Sequence, residues 1–303
     1  MKTENKGMQF IFVYMNEKVN SLKCGLLRLK VLILRIFAFS WKKGYDKLNR
    51  KDGEESLRKF VEKENIMQKI LITNDDGIQS DGIIRLARAA KKYGKVWVVA
   101  PDGQRSAMSH RITLHETIEF FPVDFPVEGV HAYASTGTPA DCVRFGILNI
   151  VKEKPDYVFS GINYGYNSGT DIQYSATVGS ALEAACAGVH AVAFPEGASE
   201  CHEVTDAYLE RMMEELMEQP LAYNQIWNVN FPQCELEKLR GILYDRKIAD
   251  CGFFIDEYLE EELENGRIRL TVHGNYNENA PEGTDFRALV DGYISVGKVN
   301  NLR

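Results

Sequence analysis

The chain has no CxxC pair, and none of its six cysteines (Cys24, Cys142, Cys186, Cys201, Cys234 and Cys251) keeps a zinc-like spacing with histidine. That removes the common structural zinc site and the dithiol redox motif. It reads instead as free, mostly buried thiols in a reducing cytosol. A Walker loop, a GxGxxG, a GxSxG and an HExxH are also missing. Their absence excludes the commonest nucleoside-triphosphate, dinucleotide, serine-hydrolase and zinc-protease readings. Basic residues are in deficit, with 36 Lys and Arg against 43 Asp and Glu and a net charge of −7. Non-specific binding of nucleic acid needs a basic surface, so a nucleic-acid polymer is not expected as the main partner. The chain contains no internal repeat and no low-complexity tract. It also lacks a clean membrane span: the most apolar stretch, GLLRLKVLILRIFAFSW at 25–41, is broken by Arg28, Lys30 and Arg35. A spanning helix needs about 20 apolar residues without central charges.

What remains is ordinary for a soluble globular enzyme: 303 residues, 45% hydrophobic and 26% charged. The charge is unevenly spread. Residues 1–66 hold 15 Lys and Arg against 8 Asp and Glu, while the rest is strongly acidic. After a polar stretch at 42–66, Met67 opens MQKILITNDDG, the way a compact α/β domain often begins. The expected organisation is a basic extension, 1–66, over-translated or dispensable, followed by a catalytic domain at 67–303. A basic amphipathic helix resting on a membrane surface is the less favoured reading of the extension.

From Met67 the pattern alternates between strand and helix. KILIT (69–73) predicts a buried strand, SDGIIRLARAAKKYG (80–94) a helix closed by Gly94, and KVWVVAP (95–101) a second strand. This is a βαβ unit of parallel type. Strands are expected at 111–121 (with His115 in a structural role), 131–136, 155–163, 189–195, 226–232 and 241–247. Helices are expected at 139–150, 176–188 and 204–219. The fold class is α/β: a Rossmann-like three-layer core with a mostly parallel sheet, plus a β-rich C-terminal extension. Such sheets bind ligands at the carboxyl ends of their strands. Three polar, glycine-containing loops lie at such ends: 74–82, 102–111 and 161–175.

Asn74, Asp75 and Asp76 close the first strand, and Gly77 permits a sharp turn. Two adjacent carboxylates repel one another unless a cation lies between them. Mg²⁺ and Mn²⁺ take oxygen ligands of this kind, commonly with water and a substrate phosphate. A turn with a helix N-cap is the alternative. In the second loop Ser106 offers a neutral oxygen, and Arg105, His110 and Arg111 suit an anion. STGTPADC (135–142) reads as a helix start, with Thr138 as cap, Pro139 at the first position and Asp141 at the third. In the third loop Asn163 offers another neutral oxygen. Ser175 and Thr177 stand at the entrance of an Ala-rich helix, where free N–H groups favour phosphate.

ILITNDDGIQSDGI, VVAPDGQRSAMSHRIT, STGTPADCV and SGINYGYNSGTDIQYSATVGSALEA, in this order, resemble the SurE family of metal-dependent nucleotidases over roughly residues 67–297. The resemblance implies a Rossmann-like core and one divalent metal per subunit, Mg²⁺ or Mn²⁺, on Asp75, Asp76, Ser106 and Asn163. Catalysis falls to Asp75, Asp76 and Asn163. Asn74, Gly77, Ser106, His110, Ser175 and Thr177 are the candidate substrate and phosphate contacts. The implied reaction is hydrolysis of nucleoside 5′- and 3′-monophosphates to nucleoside and phosphate, by a cytoplasmic homodimer or homotetramer. The chain departs from the family in carrying Tyr164 where an Arg is frequent, and Ala176 between Ser175 and Thr177 where Gly is frequent. A nucleotide-binding regulator without turnover is the alternative. A haloacid-dehalogenase-type phosphatase needs Asp-x-Asp, and a receiver module needs a later strand-end Asp where this chain has Ser160 and Asn163.

Overall fold

The computed structural model describes residues 67–277 and 279–301, all within the unit Met67–Arg303. The expectations placed on residues 1–66, including a free Cys24, lie outside the described residues. Strand β1 (Gln68–Thr73) shows how the layers form. Side chains alternate along a strand, so Ile70 and Ile72 leave one face of the sheet and Leu71 leaves the other. Ile70 and Ile72 join Ile83 and Leu86 of α1 (Asp81–Ala90) and Met212 and Met213 of α4 (Glu203–Glu218) in one core. Leu71 joins Val143 of α2 (Pro139–Phe145) and Val178 and Ala181 of α3 (Ala176–Cys186) in the other. Fully burying each large aliphatic side chain is worth about 1.5–3 kcal/mol. The result is helices on both faces of one sheet.

The sheet has nine strands. β1 lies between two parallel neighbours, β2 (Gly94–Pro101) and β5 (Tyr157–Tyr164). Outside β2 come β4 (His131–Ser135) and the edge strand β3 (Phe120–Pro122), antiparallel to β4. Outside β5 come β6 (His190–Glu196) and β7 (Gln225–Asn230), both parallel. β8 (Ile242–Arg246) and β11 (Ile294–Asn300) complete that side, with β11 antiparallel to β7. A separate antiparallel hairpin, β9 (Phe254–Glu262) and β10 (Ile268–Tyr276), and the short α5 (Asp285–Val290) make up the rest of the C-terminal part. The mostly parallel α/β sheet and the β-rich C-terminal extension are as expected. Among the described residues no helix is long and apolar enough to cross a membrane.

The chain builds outward from β1 to β2 and β4, then returns through α2 to β5 on β1's other side. The strand order reverses between β1 and β5, and a crevice opens there at the carboxyl ends. The crossovers α1, α2 and α3 share one hand. The β6–α4–β7 connection moves away from β1, as α2 and α3 do, but its helix packs on the α1 face. It is therefore of the opposite hand, an exception to the usual rule.

Several expectations need correction. Residues 111–119 form no strand, and only Phe120–Pro122 pairs, at the sheet edge. Side chains take the backbone groups instead: Thr113 N donates to Asp141 Oδ1 (2.9 Å) and Glu119 N to Thr136 Oγ1 (3.0 Å). His115 is accordingly an exposed bend residue. The helix expected over 139–150 is α-helical only to Phe145 and continues as a π-turn, Gly146–Ile150. Gly94 opens β2 rather than closing α1. Among the described cysteines, all free, only Cys142 is buried.

Candidate active site

The dyad sits where β1 ends. Gly77 turns the chain with φ of 97°, a conformation glycine adopts without strain. Ile78 N then donates to Pro101 O (2.9 Å), and Arg105 N donates to Asp75 O (2.7 Å). These two bonds fasten the loop after β2 to the dyad. Asn74 Nδ2 donates to Gly77 O (3.0 Å) and Ser80 Oγ (2.7 Å), which fixes its amide orientation. Its Oδ1 is left buried with no partner among the described residues.

Asp75 is only 4% exposed. Its Oδ1 accepts a short hydrogen bond from Thr177 Oγ1 at 2.5 Å, from the first turn of α3. Burial pushes its carboxyl up to about 7, the Thr177 bond opposing, with the neighbouring Asp76 charge adding to the rise. Burial also raises Asp76, against hydrogen bonds from the Tyr164 amide (3.1 Å) and the Gln104 side chain. Neither carboxylate has an ion-pair partner among the described residues, although Asp102 nearby pairs with Arg105. Two carboxylates drawn out of water without a cation carry an electrostatic cost.

Asn163 lies on β5 next to Tyr164, whose amide bonds Asp76. Its Nδ2 donates to Gly165 O (2.7 Å), which leaves Oδ1 as its free acceptor. Ser106 is exposed in the loop after β2, one residue beyond the Arg105 amide held by Asp75. Its loop is contorted: Ala107 and Ser109 have φ of 57° and 52°. Such non-glycine conformations cost about 1–3 kcal/mol each and persist where surrounding bonds impose them. Here Ser109 N donates to Tyr174 O (3.0 Å) and Ser109 Oγ to Gln173 O (2.7 Å).

Ser175 caps α3 by accepting from Val178 N (3.0 Å). The amides of Ala176 and Thr177, ahead of Val178, have no intrahelical acceptor, and free N–H groups at a helix N-terminus favour an anion. His110 is engaged differently: its Nε2 lies 2.8 Å from Glu183 Oε2, and that contact, more than any other, holds the Glu183 carboxyl low. The STGTPADC motif is a complete capping box. Thr138 Oγ1 accepts from Asp141 N (3.1 Å), and Asp141 Oδ2 accepts from Thr138 N (2.9 Å).

The loop after β1 with Asn74, Asp75, Asp76 and Gly77 is thus bonded to three neighbours: the loop that carries Ser106, the end of β5 that carries Asn163, and the start of α3 that carries Ser175 and Thr177. Three contributors were not legible beforehand: the Gln104 side chain, the Tyr164 amide and the part-buried pair Arg85–Glu196. Arg85 Nη1 meets Glu196 Oε1 at 2.7 Å, and the Glu196 charge is felt at Asp76. Only the fold joins them, since Arg85 and Glu196 are 111 residues apart.

No three His, Cys, Asp or Glu side chains cluster as a metal site among the described residues. A cation here would have a mixed shell of two carboxylates, the Asn163 amide oxygen and the Ser106 hydroxyl. All four donors are hard oxygens, the chemistry Mg²⁺ and Mn²⁺ accept, with room for water and phosphate. A dyad with Asp75 buried, Asp76 half-buried and no ion-pair partner among the described residues fits such an ion.

Residues 70–250 match the family model described as Survival protein SurE. The 5′-nucleotidase SurE of Thermoanaerobacter sp. (strain X514) is 38% identical over 237 residues, 77% of this chain and 92% of that protein. The 5′-nucleotidase SurE of Clostridium botulinum (strain Loch Maree / Type A3) is 39% identical over 233 residues, 75% and 90% of the two chains. The crystal structure of the SurE protein from Aquifex aeolicus superposes with a TM-score of 0.66 at 32% identity, covering 77% of this chain and 93% of that one. The family match over more than half of the chain and these relatives show that the chain belongs to the SurE family.

Proposed function

We propose that this chain is a divalent-metal-dependent 5′-nucleotidase that hydrolyses nucleoside 5′-monophosphates, and 3′-monophosphates as well, to nucleoside and phosphate. The observation that carries the reading is the Asp75–Asp76 dyad at a strand end, with Asp75 buried, Asp76 half-buried and no cationic partner among the described residues, and with Asp75 bonded to the first turn of α3. Asp75, Asp76, Ser106 and Asn163 would hold one Mg²⁺ or Mn²⁺ per subunit. That ion would supply Lewis acidity toward a phosphoryl oxygen and toward an attacking water. The chain's own groups do the rest. Thr177 Oγ1 fixes the Asp75 carboxylate through its 2.5 Å bond. The first-turn amides of α3 meet the remaining phosphoryl oxygens and stabilise charge there as it builds. Asn74 holds the Gly77 turn. His110 steadies α3 through Glu183 and is a candidate substrate contact.

The domain reading follows: 67–303 is the catalytic unit, and 1–66 is dispensable for it. The hairpin of β9 and β10 supports a homodimer or homotetramer. It exposes Tyr258, Ile268, Leu270 and Val272 on one face and Ile255 and Leu259 on the other, apolar side chains of the kind a second copy covers. A monomeric nucleotide substrate agrees with the net charge of −7, and the free thiols agree with a cytoplasmic setting.

The test is phosphate release from 5′- and 3′-nucleoside monophosphates by the full chain and by a chain starting at Met67. Release that needs Mg²⁺ or Mn²⁺, falls at least about a hundredfold in EDTA and is equal in both chains is the expected result. No release by either chain with any divalent metal would overturn the hydrolase reading.

A further inference from the structure

We propose that the Tyr164 side chain is the platform on which the nucleobase of the substrate stacks. This rests on the nucleotidase reading and extends it from the phosphate to the base. Tyr164 ends β5 on the rim of the β1/β5 crevice, directly after Asn163. Its amide donates to Asp76 Oδ2 at 3.1 Å, so its backbone is fixed beside the dyad. Its side chain is 52% exposed, and no hydrogen bond or ring contact holds it in the described structure. A lone exposed aromatic needs no explanation. One whose backbone is bonded to a catalytic carboxylate, while its ring stays uncommitted, has a place to act.

The geometry sets the direction. The phosphate end of the crevice lies on the α3 side, where Thr177 meets Asp75. Tyr164 pairs in register with Glu196, whose side chain turns to Arg85 of α1 on the opposite face. Register partners in a parallel sheet direct their side chains to the same face. A nucleotide whose phosphate sits at α3 and the dyad therefore runs across the crevice toward Tyr164. A tyrosine ring and a 5′-linked base both extend on the order of 6 Å from their anchor points. Stacking of a base on an aromatic face tolerates every base and needs no hydrogen-bond code.

The experiment compares AMP with ribose 5-phosphate, which has the same phosphate and sugar and no base. Full-length parent, Tyr164→Ala and Tyr164→Phe chains are assayed with Mn²⁺. The preference for AMP, as the ratio of kcat/KM values, is expected to fall about tenfold in Tyr164→Ala, mostly through KM. It is expected to stay within about twofold of the parent in Tyr164→Phe, which keeps the ring. An unchanged ratio in Tyr164→Ala, or equal losses on both substrates, overturns the proposal. Equilibrium dialysis of AMP separates this from the hydrolase reading. Should the parent release no phosphate, weaker AMP binding by Tyr164→Ala still supports stacking, and equal binding still overturns it.

Discussion

Asp75→Asn is expected to cut metal-dependent phosphate release by roughly a thousandfold or more while leaving the protein folded. The substitution keeps the shape of the side chain and an oxygen to accept from Thr177 Oγ1, now at 2.5 Å. It removes the negative charge on which a cation depends. Because Asp75 is 4% exposed and has no basic partner among the described residues, its charge is a burden to the metal-free fold. The variant should therefore melt no lower than the parent in EDTA. Mn²⁺ should raise the parent's melting temperature by about 5 °C or more at a hundredfold excess over its Kd. The variant should show no such rise. Thermal melts followed by circular dichroism, run beside the phosphate assay, check both halves. An Asp75→Asn chain with parental turnover would show that the dyad is a turn and not a cation site.

Gly82→Ala should damage fold and activity together. Gly82 lies in the first turn of α1, where the helix crosses β5. A methyl group there would drive into the Ile162 carbonyl oxygen, far inside contact distance, and meet the Ile162 carbonyl carbon at 3.1 Å. Those atoms are backbone and cannot rotate away, so either α1 or β5 must move. Overpacking of this kind costs about 1–3 kcal/mol, occasionally more. The displaced strand carries Asn163, and a shift of about 1 Å at a reacting centre can cost a hundredfold in rate. The expected result is a melting temperature several degrees lower and activity down about a hundredfold. Gly103→Ala is the control. Its methyl would meet nothing nearer than Arg105 Nη1 at 3.7 Å, an ordinary contact. A Gly82→Ala protein as stable and active as the parent would mean that α1 and β5 have slack at the site.

Much of this site is legible in the sequence because its pieces are local. Asp75, Asp76 and Gly77 follow a short apolar run of a length that suits a buried strand. The capping box of Thr138 and Asp141 and the cap at Ser175 depend on residues three apart, and each appears where the pattern places it. The β1–α1–β2 unit is local in the same sense. What sequence hides is set by distant neighbours. Residues 111–119 carry a strand's composition, yet Asp141 and Thr136 take up amides that a ladder would need. Nothing local marks Gly82 as the point where a helix meets a strand 80 residues away. The opposite-handed α4 crossover depends on which face the helix covers, and periodicity is blind to faces. His110 could be read as a substrate group from its loop, and only the fold brings Glu183 to its Nε2.

The most direct measurement is Mn²⁺ binding itself, by equilibrium dialysis of the full chain and of its Asp75→Asn and Asp76→Asn variants. One Mn²⁺ per parent chain, lost in both variants, is the expected result. Undiminished Mn²⁺ binding in both variants, or phosphate release from AMP by a parent chain that binds no Mn²⁺, would contradict the assignment of the dyad as the metal site.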